Sequence, residues 1–317
     1  MSSQLWAVNS LGGYFYSLNL SEELRETLQP LTKFRQFADV RDASQQGQHK
    51  GNTFTWDVVG NVVTSGGTVV ETNTMPETNF TITQGTLTVV EYGNSVPYSG
   101  KLEALSQFDV KRPVMQALKN DAVKTFDRAV QTQFNACQLR VVATSTTSLT
   151  LTTNGTATAT NSQNYNAAVH KLMVDLIKER NIPPYLGDDY ISLAWPSTFR
   201  PLKNDMETLH QYTPPGLGLI MSGEIGRYEN TRFVEQSNIL KGVANDGTAW
   251  TNGKSDWMYI FGEDTVMEGI TVPEEIRAKI PTDYGRSKGV AYYALLGFGI
   301  VHTSAADCRI VKWDSAA

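Results

Sequence analysis

The sequence predicts an α+β fold built around one long helix. Sequence of β type flanks that helix on both sides, and a segment of alternating helices and strands follows before the chain closes with further strands. The helix is predicted within residues 109–137, where apolar side chains recur at every fourth position. The members of this apolar series are Val110, Val114, Leu118, Ala122, Phe126, Val130 and Phe134.

The predicted helix is about twice the usual length. Pro113 is tolerated only near a helix start, so we place the helix from Pro113 to Cys137, about 25 residues and about 37 Å long. Met115, Ala129 and Cys137 widen the apolar stripe, while a second set of side chains lies off it. That set is Lys119, Lys124, Asp127, Arg128 and Gln131. A core helix of an α+β enzyme would show the same pattern.

Length and composition limit the class of protein. The chain has 317 residues, 40% hydrophobic and 19% charged, which is typical of a folded protein with room for two domains. Its formal net charge of −5 disfavours tight binding of phosphate backbones. The longest apolar run, Val290 to Val301, is interrupted by Gly297 and Gly299 and falls short of the roughly 18 residues that span a bilayer. The N-terminus shows no secretory signal pattern.

Residues 1–50 are predicted to form an arm. Leu11, Tyr14, Phe15, Tyr16 and Leu18 are apolar but have no periodic partner segment. Ser21 can cap a short helix that runs through Thr27, with Glu22 and Glu23 in its first turn and Pro30 limiting it. Phe34, Phe37 and Val40 follow. Because the arm has no core of its own, we expect its aromatic side chains to be buried on another surface, such as a neighbouring subunit.

From residue 52 to residue 97 the pattern becomes β. Phe54, Trp56 and Val58 alternate with polar residues, and Thr78 to Val90 continues the alternation in a Thr- and Val-rich stretch. A single protruding hairpin of this length would need support from another chain, because a two-stranded ribbon is marginally stable alone. Two shorter hairpins folded onto the same domain are the alternative, which the residues alone favour.

After the helix, the pattern predicts an exposed hairpin over Leu139 to Ser162, with Asn154-Gly155 as its turn. A mixed α/β segment then follows. Its predicted helices are Tyr165 to Arg180 and a short one at Pro273 to Ala278, and its predicted strands are Tyr190 to Trp195, Tyr228 to Val234 and Trp257 to Phe261. The closing strands are predicted at Gly289 to Val301 and Cys308 to Trp313.

The search for catalytic, cofactor-binding and metal-binding residues yields none. His49, His170, His210 and His302 are scattered, without another ligand at a metal-binding spacing, and His170 lies near an apolar helix face, as a packed core histidine would. Cys137 and Cys308 have no metal-ligand spacing and are predicted to be reduced structural thiols.

Other polar motifs have ordinary structural explanations. Gly216-Leu217-Gly218 lacks the third glycine of a dinucleotide-binding fingerprint and is predicted to be a loop. Glu263-Asp264 and Glu274-Glu275 are explained by surface turns and helix N-termini, and Asp188-Asp189 by a turn. No cofactor is therefore predicted, and the sequence does not indicate an enzyme.

The order of these elements resembles a tailed-phage major capsid protein of the Hong Kong 97 (HK97) type. Residues 90–94, Val-Glu-Tyr-Gly-Asn, followed by Leu102 to Asn135, resemble the passage from extended loop to spine helix in that family. Residues 226–235 resemble a strand of its axial domain, and Tyr284-Gly285-Arg286 with the strand to Val301 resembles its return to the peripheral domain. The resemblance covers essentially the whole chain.

The resemblance implies an HK97-like division of the chain. The arm would be residues 1–50, the extended β loop 51–98, the peripheral domain with its spine helix 99–164, the axial domain 165–288, and the return strands of the peripheral domain 289–317. The implied function is a structural one: assembly as pentamers and hexamers into an icosahedral virion shell around double-stranded DNA, in the host bacterial cytoplasm. Implied partners are other copies of the chain, a scaffolding protein, a decoration or cement protein, a portal, and non-specifically contacted DNA, but no membrane.

Two departures from the family pattern narrow this expectation. Some members cross-link through a lysine of the extended loop, but no lysine lies between Asn52 and Gly100, with only Lys50 and Lys101 at its base. No long charged helical segment precedes the arm, so we expect a separate scaffolding protein or earlier processing. Without cross-links, larger non-covalent interfaces or a cementing protein are expected.

Two other functions stay open at this point. An encapsulin-type nanocompartment shares the fold and would differ in its enclosed cargo. A β-rich phage tail or adhesin protein that binds glycans would also be Thr-rich and contain tryptophan, although the long helix argues against it.

Overall fold

The structure is a computed structural model that describes most of the chain. The described residues are 32–43, 51–60, 67–106 apart from 73 and 76, 109–156, 161–210, 227–239 and 257–314. The predicted helix between Ser21 and Thr27 lies outside them.

After a 3₁₀ turn at Phe34–Phe37, the described chain contains both helices and strands. The helices are α1 (Gly100–Leu105), α2 (Lys111–Asn135), α3 (Ala167–Glu179) and α4 (Arg200–His210). The strands are β1 (Ala38–Asp42), β2 (Thr53–Val59), β3 (Ile82–Thr88), β4 (Val90–Ser99), β5 (Leu139–Ala143), β6 (Leu149–Thr152), β7 (Tyr190–Ala194), β8 (Arg227–Tyr228), β9 (Thr231–Glu235), β10 (Met258–Phe261), β11 (Val266–Ala278), β12 (Ser287–Ile300) and β13 (Ile310–Trp313). None of the described helices is long and apolar enough to span a membrane.

The long helix is confirmed as α2, which has 25 residues and begins two residues before Pro113. Pro113 therefore occupies the first turn, where a missing N–H costs no helical hydrogen bond. The predicted apolar series is largely buried, but Met115 is 42% exposed and does not widen the buried stripe. Asp127 and Gln131, expected off the stripe, are buried instead. Because α2 lies against both larger sheets, it buries a wider arc than its apolar residues predict.

A seven-stranded sheet forms one side of the core. Its strand order is β6-β5-β13-β10-β7-β9-β8, with β5/β13 and β7/β9 parallel and the other pairs antiparallel. Every residue of its central strands β7, β10 and β13 is buried, as expected for strands covered on both faces.

Two predicted features of this sheet differ from the structure. The hairpin of β5 and β6 turns at residues 144–148 rather than at Asn154-Gly155, and β5 is buried because it pairs with β13 as well as with β6. The strand predicted at Tyr228 to Val234 is confirmed as β9 from Thr231 onward, but its first residues turn back as a tight hairpin of β8 and β9. Glu229 and Asn230 have φ values of 48° and 57°, the left-handed backbone that a two-residue hairpin turn requires.

A four-stranded sheet of order β1-β11-β12-β4 packs on the other side of α2. β1 runs parallel to β11, whereas β11, β12 and β4 are antiparallel. The short helix predicted at Pro273 to Ala278 is wrong, because these residues are the second half of β11 and pair with β12. Pro273 lies at an irregularity between Val272 and Glu275, where its missing N–H breaks no regular ladder bond.

The described part of the arm is anchored in the core of its own chain. Phe34 is fully buried, and its ring centroid lies 5.3 Å from that of Phe134 and 5.5 Å from that of Tyr259. For this residue, the expected covering surface is therefore intramolecular. Val40, by contrast, is 54% exposed on β1.

Sheet membership crosses the predicted division at residue 288. β11, from the range predicted as axial, pairs with β12, and β13 joins the sheet of β7 and β10. The division into named domains stays a prediction.

Candidate functional site

Among the described residues, no three or more His, Cys, Asp or Glu side chains are placed to hold a metal ion. His170 is a buried core residue whose two ring nitrogens both have hydrogen-bond partners. It is fully buried on α3, with Nδ1 2.5 Å from the Tyr165 hydroxyl and Nε2 3.3 Å from the Tyr228 carbonyl oxygen. In this arrangement the neutral ring accepts from Tyr165 and donates to Tyr228, and burial lowers the pKa of His170 to about 4. The prediction of a packed core histidine is confirmed.

The other histidine and the two cysteines that the structure describes are also buried. His302 is buried and burial lowers its pKa, while His49 and the side chain of His210 lie outside the described residues. Cys137 and Cys308 are free and buried, as predicted. Burial raises the pKa of the Cys137 thiol to about 12, which keeps it protonated and unreactive.

The acidic pairs contact arginines. Glu263 and Asp264 lie exposed in a turn, as predicted, and both contact Arg309. Glu274 and Glu275 are on β11 rather than at a helix N-terminus, so that explanation is wrong. Gly216-Leu217-Gly218 lies outside the described part of the chain.

Asp188-Asp189 lies at a turn before β7, as predicted, and Asp189 is in addition buried beside two arginines. Asp189 is 3% exposed, whereas the side chains of Arg227 and Arg232 on either side of it are half exposed. The Arg232 guanidinium, bonded at 2.7 Å, together with Arg227 lowers the pKa of the Asp189 carboxyl. The cluster ties the loop before β7 to the β8–β9 hairpin.

The most unusual surface belongs to the extended hairpin, which we define as β2, β3 and the described residues between them. β2 and β3 pair in antiparallel register from Thr53↔Thr88 to Val59↔Ile82. At the outer end of this root and beyond it, large apolar side chains are between 52% and 69% exposed. They are Val59, Val69, Val70, Met75, Phe80 and Ile82. A concentration of exposed apolar residues on one element marks an interaction surface.

The root of the extended hairpin is fastened to the end of the four-stranded sheet. Trp56 and Leu87 pack with Val301 in a small apolar cluster separate from the main core. The Trp56 indole Nε1 donates a 3.1 Å hydrogen bond to the Val301 carbonyl oxygen. Gly299 permits this approach, because a Cβ there would lie 2.8 Å from the Leu87 Cβ. The glycines that interrupt the apolar run of β12 are thus where the hairpin crosses it.

Charge separates the extended hairpin from the helix. Residues 52–97 contain Asp57, Glu71, Glu77 and Glu91 but no lysine or arginine. The exposed face of α2, in contrast, carries Lys111, Arg112, Lys119 and Arg128. Opposite charge on two surfaces of one subunit favours contact between copies.

A second polar site, the Asp127 junction, joins the arm, α2 and the segment after β9. Asp127 is 1% exposed and accepts from the Arg35 backbone N–H at 3.3 Å, the Gln236 Nε2 at 2.5 Å and the Asn238 Nδ2 at 3.0 Å. Burial raises the pKa of its carboxyl, and these donors oppose that shift. Arg128 reinforces the junction by donating to the Asn238 Oδ1 at 3.2 Å.

The Arg35 side chain fastens the same segment to β11. Its Nη2 lies 2.6 Å from the Oε1 of Glu268, a carboxylate that is 1% exposed, and it also contacts Glu274. The guanidinium carbon lies 4.9 Å from the centroid of the Phe126 ring. A buried carboxylate needs such a partner, because an unpaired buried charge is costly. Sequence reasoning missed both Asp127 and Glu268, because a charged residue on a helix or strand ordinarily indicates a solvated face.

Comparisons with known proteins agree with this description. Residues 12–181 match the Phage capsid family. Among solved structures, the capsid of the cyanophage P-SCSP1u is 14% identical with a TM-score of 0.68, over 100% of this chain and 98% of that one. The capsid of the cyanophage Pam1 is 15% identical with a TM-score of 0.65, over 98% and 100%. The head of the Helicobacter pylori bacteriophage KHP40 is 13% identical with a TM-score of 0.67, over 99% and 98%.

At this level of identity the structural likenesses show the fold, which is that of HK97-like phage capsids over the whole chain. No curated protein matches the sequence.

Proposed function

The chain belongs to the phage capsid family, and we propose that it assembles through its extended hairpin into the icosahedral shell of a tailed phage. It is a structural protein of the virion capsid. The finer proposal is that pentamers and hexamers of this one chain form the shell in the host cytoplasm and enclose double-stranded DNA.

The observation that carries this proposal is the exposed apolar surface of the extended hairpin. Phe80 and Ile82 are 57% and 58% exposed, although the root of the same hairpin is packed. A subunit that leaves such residues in solvent is complete only when another surface covers them. Repetition of modest contacts by symmetry then stabilises a closed container.

The distribution of charge supports the same proposal. An acidic hairpin without lysine or arginine is suited to lie on a basic surface of a neighbouring subunit. The net charge of −5 suits non-specific rather than tight contact with the enclosed DNA.

Partners other than copies of the chain belong to the proposal as well. We expect a scaffolding protein to guide shell size, a portal at one vertex, and either larger non-covalent interfaces or a cement protein in place of cross-links. The last expectation follows from the absence of lysine between Asn52 and Gly100. We also propose the peripheral and axial domain roles that the resemblance to HK97-like capsid proteins implies. Denaturing mass spectrometry of shells should therefore show single chains, and covalent multimers would contradict this expectation.

The test is negative-stain microscopy with sedimentation of the purified chain, alone and with a scaffolding protein co-expressed. Closed shells, or rings of five and six, are expected. A monomer or dimer under all conditions would overturn the proposal. Protein cargo in place of nucleic acid would identify a nanocompartment.

A shortened hairpin sharpens that test. Residues 61–80 are replaced by Asn-Gly, so that Gly60 and Thr81, whose backbones are hydrogen-bonded at 2.8 Å, are joined by a two-residue turn. This variant should fold but form no shells. As a matched control, the exposed turn between β5 and β6 is shortened in the same way and should leave shell yield unchanged. Normal shells from the shortened hairpin would show that the hairpin is not the assembly surface.

A further inference from the structure

A groove with a volume of about 720 Å³ runs between the N-terminal half of α2 and the outer end of β11. Three apolar side chains line it without being covered. Met115 and Val123 are each 42% exposed, and Ile276 is 59% exposed. Met115 and Ile276 belong to different elements, so the apolar lining is a continuous surface rather than one isolated side chain. An apolar groove of this size marks a place where another segment binds.

The first described residues of the chain lie at one end of this groove. Arg35 and Phe126 both line it, and Arg35 lies over the Phe126 ring. The described chain begins at Thr32, and three extended residues span at most about 10 Å. The residues that precede Thr32 are therefore tethered beside one end of the groove. Asp109 also lines the groove, but the stretch outside the described residues that ends before it, 107–108, is too short to fill it.

The composition of the residues that precede Thr32 suits the groove. Leu20, Leu24 and Leu28 recur at every fourth position, on either side of the helix start predicted at Ser21. Three glutamates lie off this leucine stripe. They are Glu22, Glu23 and Glu26.

The groove offers cations that the described residues leave unpaired. Lys111 contacts Glu103 at 3.1 Å, and Arg35 is held by Glu268. Arg112 and Lys119 also line the groove, but neither contacts a carboxylate among the described residues. On an α-helix Glu23 and Arg25 border the leucine stripe on its two sides, whereas Glu22 and Glu26 lie on the opposite face, so Glu23 is the glutamate placed to meet one of these two cations.

We propose that residues 20–28 bind in the groove of their own chain as a short amphipathic helix that begins after Ser21, with Leu20 packing just ahead of it. The leucine stripe packs on Met115, Val123 and Ile276, and Glu23 lies beside Arg112 or Lys119. The short tether at Thr32 favours the chain's own segment over a segment from another copy. This docking does not rest on shell assembly, because it occurs within one subunit.

The test is disulfide cross-linking in the unassembled, full-length chain. The pair Leu24→Cys and Val123→Cys would be joined on mild oxidation, whereas the native Cys137 and Cys308 are buried. The matched control pairs Leu24→Cys with Val40→Cys, because Val40 is 54% exposed but lies on β1 outside the groove. Both proteins are checked for an unchanged thermal unfolding midpoint before oxidation.

The expected product is a cross-link within one chain, formed roughly 10-fold faster than in the control because docking adds to the effective concentration set by the tether. Equal rates for the two pairs would overturn the proposal. A cross-link between two chains would also overturn it. The proposal would also be overturned if Val123→Cys formed a cross-link with Phe80→Cys of a second copy faster than with Leu24→Cys. The extended hairpin of that copy would then occupy the groove.

Charge reversal tests the electrostatic part separately. Arg112→Glu with Lys119→Glu should lower the cross-linking rate of the Leu24→Cys and Val123→Cys pair. Adding Glu23→Lys should restore it. An unchanged rate after the first reversal, or no recovery after the second, would overturn the proposed charge pairing. Failure of shell assembly in any variant that still cross-links internally would concern the assembly function and not this docking.

Discussion

The core around Phe134 and the extended hairpin use large apolar side chains in opposite ways. Phe134 is fully buried, with ring centroids of Phe34, Tyr259 and Phe261 at 5.0 to 5.8 Å. On the hairpin, Phe80 and Ile82 are more than half exposed. The core is therefore complete within one chain, whereas the hairpin is complete only at its root. The difference teaches which substitutions should affect folding and which should affect assembly.

Phe134→Ala should produce the largest loss of stability. Removing a fully buried ring from an aromatic cluster costs about 3–5 kcal/mol in the free energy of unfolding. Phe80→Ala removes the same atoms from solvent and should cost less than about 0.5 kcal/mol in the free chain. Urea unfolding of the unassembled protein measures both. Similar losses for the two variants would contradict the distinction between the regions.

The second-largest effect should be a loss of folding stability at acidic pH. The pKa of His170 is about 4 in the folded chain, below its ordinary value of 6.5, so the unfolded chain binds more protons between these values. Stability should therefore be unaffected by this group above pH 6.5 and fall as the pH falls from 6.5 to 4, by about 3 kcal/mol in total.

His170→Leu should remove most of that slope, and His302, whose pKa is also lowered, should contribute a smaller part of the same sign. Urea midpoints at pH 7.5, 5.5 and 4.5 make the comparison. Parallel pH profiles for the two proteins would show that His170 is not the responsible group.

Asp127→Ala should cost about 2–3 kcal/mol, because it leaves the donors of Arg35, Gln236 and Asn238 buried without an acceptor. Hydrogen exchange should accelerate at residues 34–35 and 236–238 together, since one carboxylate holds both segments. Asp121→Ala on the same helix is the control, and its partly exposed hydrogen bonds should cost less than about 1 kcal/mol. Acceleration at only one segment would contradict a shared junction.

The smallest effect on folding is expected on the hairpin itself. Phe80→Ser with Ile82→Thr should change the free energy of unfolding by less than about 0.5 kcal/mol, yet reduce the yield of shells. Thr81→Ser with Thr83→Ser is the matched control and should leave both quantities unchanged. Sedimentation measures shell yield. A normal shell yield from the first variant would show that Phe80 and Ile82 are not part of the assembly surface.

Periodicity predicted the elements whose burial follows their own residue pattern. α2 and the buried strands β7, β10 and β13 were found in this way, because local pattern and tertiary environment agree there. The alternation of Phe54, Trp56 and Val58 likewise matches the less exposed face of β2.

The failures occur where a distant partner decides. Pro273 to Ala278 is a strand because β12 pairs with it, and nothing within those six residues indicates this pairing. Asp127 is buried because two other segments supply donors to it, and one of those segments is separated from it by more than 100 residues. The pairing of Phe34 with Phe134 is equally remote. Contacts of this kind depend on the tertiary arrangement, which a single-sequence pattern does not contain.

The pairing of β1 with β11 also constrains how the newly made chain folds. The four-stranded sheet joins residues 38–42 and 90–99 to residues 266–278 and 287–300. During synthesis at roughly 5–20 residues per second, the roughly 200 residues between β4 and the end of β12 take about 10–40 s to appear. Throughout that interval the first two strands lack their partners, and the root of the hairpin lacks the glycines on which it packs. The nascent protein therefore exposes Thr- and Val-rich strand edges while many copies are being made at once, which makes chaperone binding and rapid completion of each chain important for the yield of native subunits.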